Sequence, residues 1–185
     1  MSLSIQAAPD VSDVWVADLG NGKYRNPIIY ADYSDPDVIR VGNDYYMTAS
    51  SFNCVPGLPI LHSNDLVNWT IIGYAIDCLP DEAVFVKDRV NHGNAVWAPS
   101  IRFHNGEYYI YYGDPDLGIF MTKAKDPKGP WSPLKLVAKT KGVIDTCPLW
   151  DEDGKAYLSW GFAGSRATMK SVLAVCEMAP DGESL

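Results

Sequence analysis

Asp35 and Asp145 are the side chains best placed to do chemistry, and an internal repeat is what singles them out. Pro36-Asp37-Val38 leads through Gly42-Asn43-Asp44 into Tyr45-Tyr46-Met47, and 63 positions later Pro99-Ser100-Ile101 leads through His104-Asn105-Gly106 into Tyr108-Tyr109-Ile110. A shorter third copy runs from Pro148-Leu149-Trp150 through Asp151-Glu152-Asp153-Gly154 to Lys155-Ala156-Tyr157-Leu158. Asp35 stands where the second copy has Ala98, and Asp145 stands just ahead of Thr146-Cys147-Pro148 in the third. Two carboxylates at one mouth can divide the work of acid and base once their surroundings push their pKa values apart. The local alternative is a turn role, an Asx turn before Pro36 and a cap at Thr146. Trp97, at the same level as Asp35, offers an indole face on which a pyranose ring would stack, or else a plain core side chain.

The segments that must carry these residues are short β-runs rich in Tyr, Val, Ile and Trp, broken by turn chemistry. Val38 to Val41, Tyr45 to Ser50 and Ile60 to His62 form one series, with Gly42-Asn43-Asp44 as a hairpin turn. Asn105-Gly106 and Asp153-Gly154 take the same part in the later copies. Beyond each hairpin a turn with a Trp precedes an outer run, Trp69 before Thr70 to Ile76 and Trp131 before Leu134 to Val137. No segment carries a helical stripe. Each unit therefore reads as a sheet of about four antiparallel strands, and such repeated units pack radially in β-propellers. A β-sandwich predicts no such register between its halves. In a propeller the start of each blade's first strand lies against the central channel, which is where Asp35 and Asp145 fall.

Composition narrows the partners. The formal net charge of −8 argues against nucleic acid or an anionic membrane surface. No apolar run approaches the ~18 residues of a membrane span. Aromatics reach 12%, with six Trp and eleven Tyr, which stacked sheets explain in part and a sugar-binding surface could complete. Cys54, Cys78, Cys147 and Cys176 form no CxxC pair, so zinc is not expected; buried free thiols or one disulfide are. Residues 1–25 read as a leader and a surface-wrapping segment, and 26–185 as a propeller of which about three blades are present. The start Met1-Ser2-Leu3 lacks an apolar signal core and reads as an added leader. The compartment stays open: secreted or periplasmic if a native targeting segment preceded it.

The same residues resemble the five-bladed β-propeller glycosidases of glycoside hydrolase family 43. The resemblance runs through Asn26-Pro27-Ile28-Ile29, Ala31-Asp32-Tyr33-Ser34-Asp35-Pro36-Asp37-Val38 and Ser51-Phe52 before Pro56-Gly57-Leu58-Pro59-Ile60. It continues in His62 to Trp69, Val96-Trp97-Ala98-Pro99-Ser100, and Ile144-Asp145-Thr146-Cys147-Pro148 with the hairpin after it. Each piece is weak, but their order and spacing are specific. The segments around Phe52 and Ser165-Arg166 look most like the β-xylosidase and α-L-arabinofuranosidase branch. The resemblance implies inverting hydrolysis of xylo- or arabino-configured saccharides, with Asp35 as general base and Asp145 as the aspartate that tunes and holds the acid. Phe52 and Trp97 would line the terminal sugar subsite. It also implies a general-acid Glu at the start of a fourth blade. Glu177 and Glu183 stand in no such motif, so the acid is expected beyond residue 185, as is the channel His with the calcium ion that a complete propeller can hold. No cofactor is expected within these residues, and open blade faces would invite self-association. The competing reading is a carbohydrate-binding propeller without catalysis.

Overall fold

A computed structural model describes residues 14–80 and 92–185; the Met1-Ser2-Leu3 start lies outside them. The described chain forms three antiparallel sheets. The first is β1 (Asp37–Val41), β2 (Asp44–Thr48), β3 (Gly57–Ser63) and β4 (Thr70–Ile76), in that order. The second repeats the plan with β5 (Trp97–His104), β6 (Glu107–Asp114), β7 (Gly118–Ala124) and β8 (Lys135–Ala138). The third holds β9 (Val143–Trp150), β10 (Ala156–Phe162) and β11 (Leu173–Met178), with β10 in the middle. The expected plan of about four strands per blade thus holds twice, whereas the third blade has three strands among the described residues. A one-turn helix, α1 (Gly164–Ala167), joins β10 to β11. These are blades of a β-propeller.

Local sequence explains the hairpins. Asn105 (φ 48°) and Gly106 (φ 82°) both sit in the left-handed region, as the two-residue turn between His104 and Glu107 requires. The Trp turns close on themselves: the indole N–H of Trp69 donates to Leu66 O at 3.0 Å, and that of Trp131 to Pro127 O at 3.3 Å.

The middle sheet is buried on both faces, and its period of two shows in the packing. Tyr108, Ile110 and Tyr112 of β6 join Ile101 and Phe120 against Leu58, Ile60 and Ile76 of the first sheet. Tyr109 and Tyr111 turn the other way, with Ile119 and Met121, onto Val143, Ala156 and Leu158 of the third. Much of the tyrosine content is therefore structural. Burying each large apolar side chain stabilises the fold by about 1.5–3 kcal/mol. The far face of the third sheet is open: Leu149, Leu173 and Val175 are all exposed there.

The cysteines depart from expectation. All four are free, and Cys54 and Cys78 are exposed rather than buried, because they lie in loops outside the sheets; Cys147 and Cys176 are half-buried on strands.

Close packing of the second and third blades rests on Gly113. A Cβ there would lie 2.6 Å from Val143 O and 3.0 Å from Val143 C, both backbone atoms that cannot step aside. Gly113→Ala is expected to cost about 1–3 kcal/mol, read as a lowered urea midpoint with an unchanged slope.

Candidate active site

The three blades share one irregularity at the start of the inner strand. In the second blade Trp97 faces Gly113 and Ser100 faces Tyr111, so Ala98 and Pro99 together oppose the single residue Tyr112. In the third, Ile144 faces Gly161 and Cys147 faces Ser159, so Asp145 and Thr146 oppose Trp160. In the first, Ser50 N–H donates to Ser34 O at 2.9 Å and Asp37 faces Thr48, leaving Asp35 and Pro36 opposite Ala49. Each is a β-bulge whose first residue has a positive φ: 49° at Asp35, 36° at Ala98 and 56° at Asp145. An L residue pays strain in that region, and such outliers persist where the surroundings hold them and function uses the altered aim of the side chain. Asp35, Ala98 and Asp145 are thus structurally equivalent, and the two carboxylates stand at the same level of the first and third inner strands, on either side of β5.

Asp35 is held from one side. Ser34 Oγ donates to Asp35 Oδ2 at 2.7 Å and Ser50 Oγ donates to the same oxygen at 3.0 Å. Ser50 Oγ in turn accepts the N–H of Ala98 at 2.8 Å, which ties the first blade to the bulge of the second. Neither hydroxyl engages Asp35 Oδ1. Sequence reasoning overlooked Ser50, although the repeat held the signal: the positions matching it across the bulges are Gly113 and Gly161. Of the three matching positions only the first blade's has a hydroxyl, and it holds Asp35; Asp145 in the third blade has Gly161 there.

Asp145 keeps exposed surface, yet its carboxyl is raised above the ordinary carboxylate range. Partial desolvation is the larger cause, and the negative charge of Asp35 adds to it. The charge of Asp35 therefore reaches Asp145 past the inner strand of the second blade.

Phe52 and Trp97 are brought into one neighbourhood by backbone pairing. Phe52 N–H donates to Val96 O at 3.0 Å and Val96 N–H to Phe52 O at 3.2 Å, placing Phe52 beside the residue that precedes Trp97. Phe52 itself sits at φ 52°. The Trp97 indole N–H donates to Gly93 O at 2.7 Å, and the Arg166 guanidinium lies over its ring at 5.8 Å. Arg166, from α1 of the third blade, also donates to Asn94 Oδ1 at 2.9 Å and to Asp116 Oδ1 at 3.1 Å. Both aromatics are half-buried. A pocket of about 370 Å³ opens beside Phe52, lined also by Asp32, Tyr33, Ser34, Ser50 and Tyr74. A larger hollow of about 620 Å³ lies between the outer strands, against Ile76, Phe120 and Trp131; neither hollow is lined by Asp35 or Asp145.

The late glutamates sit elsewhere. Glu183 accepts from Lys135 at 2.7 Å and pairs with Lys123 at 2.9 Å; these contacts hold its carboxyl down at about 2. Glu177 is exposed on β11, far along the third blade from its inner strand β9. Among the described residues no group of three His, Cys, Asp or Glu side chains is gathered that could hold a metal ion. No helix there is long and apolar enough to cross a membrane.

Comparison with known proteins places this geometry. Residues 24–185 match the sequence profile of the Glycosyl hydrolases family 43. The chain is 40% identical over 168 residues to a putative β-xylosidase of Xylanibacter ruminicola, covering 91% of this chain and 30% of that protein. It is 39% identical over 125 residues to a non-reducing end α-L-arabinofuranosidase of Bacteroides ovatus, covering 64% of this chain and 23% of that one. Its fold superposes on the xylan β-1,4-xylosidase of Bacillus halodurans with a TM-score of 0.71 at 26% identity, over 86% of this chain and 32% of the other. The chain thus spans about 30% of the length of the first curated relatives it matches. With its repeated inner-strand bulges and this match through nearly all its described residues, the chain belongs to glycoside hydrolase family 43.

Proposed function

We propose that the protein carrying this chain is an inverting glycosidase that releases single pentoses from the non-reducing ends of xylo- or arabino-configured saccharides. The observation that carries the reading is the pair Asp35 and Asp145, equivalent in the fold, placed at the heads of the inner strands on either side of β5, with the charge of Asp35 felt at Asp145. Relatives named β-xylosidase and α-L-arabinofuranosidase support the pentose. A pocket of about 370 Å³ beside Phe52 is of a size for a small sugar ring, and Phe52 pairs through its backbone with Val96, the residue before Trp97.

In this reading Asp35 is the general base. The hydroxyls of Ser34 and Ser50 hold Oδ2, so Oδ1 is left to take the proton of the attacking water. That water enters opposite the leaving oxygen, and an inverting site needs the base and the acid roughly 6.5–9.5 Å apart to seat it. The leaving oxygen departs with a proton from the acid. Asp145 acts on that acid as a neighbouring negative charge, which favours the protonated form of a second carboxyl. Glu183 is held ionised by two lysines and cannot donate at neutral pH, and Glu177 lies away from the bulges. We therefore assign the acid to a residue outside 1–185. A carbohydrate-binding propeller without catalysis is the alternative, and it gives the paired, strained carboxylates no task.

Three outcomes test this. In the full-length protein Asp35→Asn should lower turnover of aryl β-xyloside or aryl α-arabinofuranoside by about 10²–10⁴-fold, with little change in the urea midpoint. No turnover of either pentoside by the parent protein, with good activity on hexosides, would sink the pentose assignment.

Asp145→Asn should move the basic limb of the pH–rate profile to lower pH, because the acid loses a negative neighbour. The same change should raise the stability of the chain near neutral pH. The sign follows from the raised carboxyl: its favourable contribution is complete below the ordinary value of 3.8 and is lost as pH rises through the higher folded value. The stability difference between Asn and Asp should therefore vanish in acid and grow with pH across that window, read by urea titration at each pH.

Residues 1–185 alone should hydrolyse neither substrate measurably, since this reading assigns the acid outside them. Light scattering on the same sample should show association through the apolar face of Leu149, Leu173 and Val175. An active monomer would place the acid within this chain.

A further inference from the structure

The hydrogen-bonded ladders stop at the edge of each sheet, so the relative placement of the inner strands β1, β5 and β9 is set by contacts that cross between blades: a few backbone bonds such as Phe52 to Val96, and side chains. Arg102 crosses twice. From β5 its Nη1 donates to Asp37 Oδ2 on β1 at 2.5 Å, and its Nη2 donates to Cys147 Sγ on β9 at 2.9 Å. Asp37 Oδ2 also accepts the N–H of Ile101 at 2.8 Å, so the first and second blades are stitched by backbone and side chain at one point. Asp37 lies two residues after Asp35, and Cys147 lies two residues after Asp145. The two anchor points of Arg102 are thus just beyond the two bulges that aim the carboxylates.

We propose that Arg102 is a positioning residue for the carboxylate pair, a single guanidinium that spans three blades and sets the separation of Asp35 from Asp145.

The chemistry of the contact suits the task. The guanidinium is planar, its donors diverge at fixed angles, and it stays charged, so the two acceptors are held at a set separation and direction. Asp37 and Arg102 are both half-buried, which limits screening of their attraction. Burial alone would work against the charge on Arg102, but Asp37 together with Cys147 outweighs it. A lysine would keep the charge with one ammonium, unable to reach both neighbours in the same geometry. Ser50 makes a second tie, from Asp35 to the bulge of the second blade, but it does not reach the third blade. The link from β5 to Cys147, and through it to Asp145, is made by Arg102.

The proposal rests on the reading of Asp35 and Asp145 as a working pair for its consequence in catalysis, while its geometry can be tested in this chain directly. The midpoint of the Asp145 carboxyl is followed by carboxyl-carbon NMR in the parent chain, Arg102→Lys and Cys147→Val, each with and without Asp35→Asn. The response of Asp145 to Asp35→Asn measures how closely the two groups approach, and comparing responses cancels the direct effect of the charge on residue 102. In the parent chain Asp35→Asn should lower the Asp145 midpoint. In Arg102→Lys and in Cys147→Val that lowering should shrink to about half or less, since the strands are no longer held at one spacing. Undiminished responses in both variants would overturn the proposal and leave Arg102 as a tie for stability alone, whatever happens to the urea midpoint. Should Arg102→Lys fail to fold, Cys147→Val, an apolar replacement of similar size, decides by itself. No response in the parent chain would overturn the coupled pair itself, and the positioning role with it; that result is distinct from a coupling that survives the variants. In the full-length protein the expected companion is a loss in kcat with KM little changed.

Discussion

A left-handed residue at the head of each inner strand is the constraint on which the site depends. At Asp35, Ala98 and Asp145 the backbone adopts a conformation that L residues enter only at a cost, and each time two residues crowd opposite one. The bulge changes which way the first residue points. Without it, side chains at these positions would follow the strict alternation of the pleat and face a neighbouring sheet. The strain is tolerated because the sheets on either side over-determine the strand, as the close approach of Gly113 to Val143 shows.

That support comes from a middle sheet buried on both faces. Tyr108, Ile110 and Tyr112 pack one way and Tyr109 and Tyr111 the other, so β6 reads as an unbroken apolar run rather than an alternating one. Tyrosine fills the wide gap between radially spread sheets, and its hydroxyl can still find a partner: that of Tyr111 donates to Gly182 O. The packing is apolar and non-directional. It brings the blades together but leaves their inner ends to be aligned by polar groups, which is the part taken by Ser50 between Asp35 and Ala98 and by Arg102 between Asp37 and Cys147.

Charge is sorted accordingly. Away from the inner strands Glu183 is neutralised by Lys123 and Lys135, and Asp44 lies 2.7 Å from His62. At the inner strands Asp37 meets the guanidinium of Arg102, whereas Asp145 meets another carboxylate instead of a cation. Like charges placed near each other reduce stability, and a carboxyl held above its ordinary value is what acid–base chemistry uses.

Much of the architecture was legible in the chain because a repeat reports its own register. The outer run expected at Thr70 to Ile76 is β4 to the residue, and the hairpin turn at Asn105-Gly106 has the two positive φ angles its residues favour. Asp35 and Asp145 could be singled out as departures from that repeat, since local sequence determines where a strand starts and which residue breaks its pattern. The third blade's strand count and the exposure of Cys54 and Cys78 were not legible, since both depend on which surfaces neighbouring sheets cover. Nor could spacing alone reveal Ser50 or Arg102 as partners, because a hydrogen bond across blades joins residues 45, 48 or 65 positions apart and needs the packed sheets to bring them within reach. The sequence by itself determined the strands, the turns and the identity of the two carboxylates; only the tertiary structure decided their aim and their mutual charge, because bulge geometry and inter-blade contacts exist only once the sheets have closed against one another.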